Sequence, residues 1–65
     1  MNAALLVARR RCGISQEQLA DKLGIYRIGI VLIERHDWLP PPATRQRLAK
    51  VLKTTEQELF GSASK

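Results

Sequence analysis

Apolar positions recur at helical spacing in five short blocks of this chain, and helix-stopping residues separate the blocks. The first block spans Ala3 to Arg11: Asn2 caps it, Gly13 ends it, and Leu5, Ala8 and Cys12 fall on one core-facing side. The second begins at Ser15, where Gln18 three residues on completes a capping box and Glu17 adds a negative charge near the positive helix end. It runs to Leu23, with Leu19, Ala20 and Leu23 on one face. Ile30 and Ile33 share a face of the third block, Arg27 to about Arg35. The fourth, about Ala43 to Lys53, turns Leu48, Val51 and Leu52 inward. Thr55 and Glu58 form a second capping box for a last short helix that ends at Gly61, with Leu59 and Phe60 closing the core.

The third block has two readings. Ile25 to Ile33 is rich in β-branched residues and contains Gly29, so taken alone it passes for a buried strand. Tyr26 is also a poor N-cap. A strand needs a partner, however, and no other segment resembles one, so the helix is the reading adopted. The few residues between the second and third helices cannot form an antiparallel hairpin, and the two must cross steeply. Ala20 supplies a small side chain where they touch, and Gly24 supplies the positive φ of the turn. This is helix-turn-helix geometry, with the third helix projecting from the body.

Between the third and fourth helices, Asp37-Trp38-Leu39-Pro40-Pro41-Pro42 reads as a stiff loop, with Trp38 and Leu39 folding back onto the core. Residues 62–65 read as a flexible tail after a single domain over residues 1–61, without internal repeats. The fold class expected is all-α, a compact five-helix bundle.

Charge sharpens the picture. Eleven Lys and Arg against six Asp and Glu leave a net charge of +5 on 65 residues. That excess favours a polyanionic partner, nucleic acid first, with plain surface solubilisation as the alternative. Arg9 to Arg11 form one basic cluster, and Arg45, Arg47, Lys50 and Lys53 another. The one cysteine, Cys12, allows no intramolecular disulfide and fits a reducing, cytoplasmic setting. No run approaches a membrane span, and the charge follows the N-terminal apolar residues rather than preceding them. The single histidine, His36, stands beside Asp37 with no nucleophile or ligand cluster near it in sequence, so neither catalysis nor a metal or cofactor is expected.

The ordered pieces resemble a known family. Gly13 to Ile25 reads G-I-S-Q-E-Q-L-A-D-K-L-G-I, Ile30 to Glu34 ends I-x-x-I-E, and L-A-x-x-L (Leu48 to Leu52) and T-E-Q-E-L-F (Thr55 to Phe60) follow. From about Leu5 to Phe60 the chain is similar to the phage-repressor and Cro-like helix-turn-helix proteins, with their lambda-repressor-like domain. The resemblance implies a repressor-like, sequence-specific regulator that binds double-stranded DNA as a homodimer on a two-fold operator, its third helix in the major groove. It implies that Gln16 meets a phosphate at a helix start, that Arg27, Ile28 and Leu32 reach base edges, and that Tyr26 lies near the backbone. It also implies phosphate contacts from Arg35, His36 and Arg45, and an internal salt bridge between Arg9 and Glu34.

The expected reading face departs from the family's usual polar one. Ile28, Val31 and Leu32 form an apolar stripe opposite the core-facing Ile30 and Ile33. Exposed apolar stripes mark contact sites. They touch thymine methyls but cannot supply bidentate hydrogen bonds to bases, which only Arg27 could make here. A second function therefore stands beside the first: a protein-interaction module that docks another protein, or a second copy, on Ile28, Val31 and Leu32. Leu6 and Val7 also exceed what the core pattern needs, and are read as widening the buried stripe.

Overall fold

The computed structural model describes residues 1–61, and the expected tail at 62–65 lies outside the described residues. Five helices follow one another: α1 (Ala3–Arg11), α2 (Gln16–Leu23), α3 (Arg27–His36), α4 (Pro42–Val51) and α5 (Glu56–Phe60). No strand occurs among the described residues, so the β-branched run of α3 is helical. The fold is all-α. Its core is made by Leu5 and Ala8 of α1, Leu19, Ala20 and Leu23 of α2, Ile30 and Ile33 of α3, and Leu48, Ala49, Leu52 and Leu59 of the C-terminal half.

Local capping sets the ends. The Asn2 side chain accepts from the Leu5 amide at 3.0 Å. Its own amide group donates to the Leu59 carbonyl at 3.0 Å, and its backbone N–H donates to the Glu34 carbonyl at 2.7 Å. One asparagine thus joins α1, α3 and α5. At α2 the capping box is complete: Ser15 Oγ accepts from the Gln18 amide and Gln18 Oε1 from the Ser15 amide. At α5 it is only half formed. Thr55 Oγ1 accepts from the Glu58 amide, but the Glu58 carboxylate accepts from Thr54 Oγ1 at 2.7 Å instead of reaching the Thr55 amide.

Two turns share one closure. Gly24 has φ +71°, its N–H donates to the Asp21 carbonyl, and the Ile25 N–H donates to the Ala20 carbonyl. That pair of bonds reverses the chain into α3. Lys53 does the same work after α4 at φ +56°, with its N–H on Lys50 and the Thr54 N–H on Ala49. The left-handed turn ends α4 at Val51, two residues short of the expected Lys53.

Three expectations about burial are corrected. Trp38 and Leu39 do not fold back onto the core; they are 43% and 41% exposed, and Pro40 is the loop residue that is sealed inside. Proline geometry holds the loop extended, and only one of its side chains meets the interior. Cys12 is exposed rather than in the core, with its Sγ donating to the Leu52 carbonyl at 3.5 Å. Val7 is 55% exposed, so it does not widen the core stripe.

Candidate nucleic-acid interface

The short turn at Gly24 and the small Ala20 let α2 and α3 cross closely, and α2 packs more extensively on α3 than on any other helix. Ile30 and Ile33 are fully buried on one side of α3. The opposite side is left open. Tyr26 and Arg27 are exposed at its start, Ile28 is 61% exposed, Leu32 is exposed, and Arg35 and His36 are exposed at its end. Val31 is only half-buried, contrary to a fully outward stripe, because it leans between the two faces. Arg27, Ile28 and Val31 line a shallow hollow of about 330 Å³. Ten residues make α3 roughly 15 Å long, and a helix of ordinary diameter fits the roughly 12 Å wide major groove of DNA.

At Gly29 a neighbouring side chain comes close to the helix. A Cβ there would lie 3.2 Å from Ile25 Cδ1, so Ile25 packs across the backbone at that point.

Behind α3 sits the one buried charged residue among those described, Glu34, 3% exposed. Arg9 Nε donates to Glu34 Oε2 at 2.7 Å and its Nη2 to Oε1 at 3.3 Å. Arg9 Nη1 also donates to the Ile14 carbonyl at 3.0 Å. Gln16 Nε2 donates to Glu34 Oε1 at 3.2 Å. The group ties α1, the α1–α2 turn, α2 and α3 together, and a carboxylate so deep needs those donors to offset its lost hydration. The side-chain amide nitrogen of Gln16 is therefore engaged inward, and the open feature at this helix start is the backbone end of α2. A hollow of about 320 Å³ opens beside it, with Arg9, Arg10, Gln16, Glu34 and Arg35 in its wall. Arg10, exposed in that wall, is a candidate that the expected contact set leaves out, although it belongs to the basic cluster at the end of α1.

Arg45 is placed differently from expectation. Its Nη1 donates to the Pro40 carbonyl at 2.6 Å, and its side chain is only 12% exposed. Nε faces Glu56 at 3.6 Å, beyond hydrogen-bond reach, so that buried nitrogen has Coulombic attraction without a hydrogen bond. Arg45 clamps the proline loop against α5 instead of reaching into solvent for a phosphate. His36 stands exposed at the end of α3. No group of three or more His, Cys, Asp or Glu side chains is placed to hold a metal ion among the described residues.

A family model described as helix-turn-helix, of the Cro/C1 type, matches residues 5–59. The chain belongs to this helix-turn-helix family. The match takes in all of α2, α3 and α4 and most of α1 and α5. The family is one of DNA-binding transcription regulators. No curated protein and no solved structure matches. Among the described residues, no helix is long and apolar enough to cross a membrane.

Proposed function

We propose that this helix-turn-helix protein is a sequence-specific, repressor-like regulator that lays α3 in the major groove and binds a two-fold operator as a homodimer. The observation that carries the proposal is the outward side of α3, where Arg27 and Arg35 bracket the apolar Ile28 and Leu32. Arg27 reads guanine O6 and N7, Ile28 and Leu32 press on thymine methyls, and Tyr26 lies beside the backbone. One phosphate sits at the backbone N–H groups that open α2, near Gln16, with Arg10 and Arg35 on either side. His36 adds a contact at the far end of α3. Arg9 and Glu34 join α1 to α3 without touching bases. Arg45 leaves the proposed contact set, since its guanidinium is engaged with Pro40 and Glu56.

The test is selection from random duplex DNA followed by titration at two salt concentrations. Affinity should fall steeply with salt, with a log–log slope of about −0.9 per phosphate neutralised. Arg27→Ala should cost about 1–3 kcal/mol on the selected site and relax the preference at one base pair. Selection that enriches no sequence would refute the DNA-reading assignment.

The second reading keeps the fold and docks a protein on Ile28, Val31 and Leu32. The exposure of Ile28 favours it, because so large an open aliphatic surface has little to offer a phosphate. Leu32→Ser separates the two. It weakens DNA binding modestly if α3 reads bases, whereas it abolishes a salt-insensitive complex if α3 docks protein.

A further inference from the structure

On another face of the molecule, an open hollow of about 800 Å³ lies between the C-terminal ends of α1, α2 and α4. Its floor is apolar, made by Ile14, Val51 and Leu52. Its rim carries Arg11, Lys22 and Lys53. No acidic side chain lines it. Among the described residues, none of these three cations has an ion-pair partner, although Arg9, Arg45 and the terminal amine all do. The volume lies within the roughly 300–1,000 Å³ range of small-molecule sites.

We infer that this hollow binds a small organic anion with an apolar body, an aromatic or branched aliphatic carboxylate. The apolar floor takes the hydrocarbon part, and the rim cations face its carboxylate. An inorganic anion would leave the floor wet, and a neutral hydrocarbon would leave the three cations unanswered. Apolar fill and charge complementarity together select the amphipathic anion. None of the hollow's residues belongs to the α3 face, so this site and the DNA-binding assignment stand or fall separately.

The probe is 2-naphthoate, with 2-naphthylmethanol as its neutral counterpart and acetate as the small ion. Amide chemical shifts should move saturably with 2-naphthoate at Ile14, Val51 and Leu52, and far less with either control. Lys22→Gln and Arg11→Gln alter exposed side chains, so both variants should keep the helical far-ultraviolet spectrum. Each should weaken 2-naphthoate binding about fivefold. Cys12, the single thiol, lies in the wall and reports occupancy. Saturating 2-naphthoate should slow its alkylation by neutral iodoacetamide. Shifts that never saturate, shifts centred on Trp38 and Met1 instead, equal binding of the alcohol, or an unprotected Cys12 would each overturn the assignment.

Discussion

Replacing Arg9 by Met tests the central polar contact of the fold. Arg9 gives Glu34 two hydrogen bonds, at 2.7 and 3.3 Å, and a third goes to the Ile14 carbonyl. The two side chains are 12% and 4% exposed, so water replaces little of what is lost. After Arg9→Met the carboxylate keeps only the Gln16 amide, at 3.2 Å. A buried charge stripped of its partner costs about 3–5 kcal/mol. A chain of this length has a total stability of about 3–10 kcal/mol, so the variant should lose a large share of it. Glu34→Gln is milder: Arg9 stays charged but keeps one amide oxygen and the Ile14 carbonyl, for a loss of about 1–3 kcal/mol. The double variant Arg9→Met, Glu34→Gln removes both charges and should be more stable than Arg9→Met alone. Urea unfolding followed by far-ultraviolet circular dichroism on all four proteins closes the cycle. If Arg9→Met loses less than about 1 kcal/mol, the pair behaves as an exposed one and the reasoning fails. Strict additivity in the double variant would refute it too.

Four further substitutions probe other parts of the account. Lys53→Gly should raise stability by about 0.5–1 kcal/mol, since it relieves a left-handed residue at φ +56° and the gain exceeds the added entropy of the unfolded glycine; a lower melting temperature would contradict this. Gly29→Ala gains helix propensity but pushes Ile25 Cδ1 back from 3.2 Å, and because that methyl ends a half-buried side chain the net effect should be a gain of up to about 0.5 kcal/mol; a loss in thermal unfolding would show that Ile25 cannot move. Arg45→Ala should destabilise by about 1–3 kcal/mol through the lost Pro40 contact, yet leave the salt dependence of DNA binding unchanged, whereas Arg35→Ala should flatten the log–log slope by about 0.9 without a comparable loss of stability.

Much of this architecture is legible in one dimension. Asn2, Ser15 and Thr55 cap helices by reaching three residues along the chain, and Gly24 turns the chain through bonds that close within five residues. Such contacts are made by near neighbours, so their residue types alone announce them. The inward positions of Leu5, Leu19, Ile30, Ile33, Leu48 and Leu59 follow from helical spacing in the same way. The Arg9–Glu34 pair is another matter. It spans 25 positions, and family resemblance rather than pattern suggested it.

What the tertiary structure decided is where long or loop-borne side chains end up. Arg45 reads as a surface cation, but its guanidinium clamps the Pro40 carbonyl; Trp38 reads as core, but Pro40 fills that place. The hollow beneath Arg11, Lys22 and Lys53 exists only because three helix ends meet. The local code determined the helices, their caps, the bend at Gly24 and the outward stripe of α3. Partners distant in sequence determined which cations stay free, because a flexible arginine takes the nearest buried acceptor that folding brings within its reach.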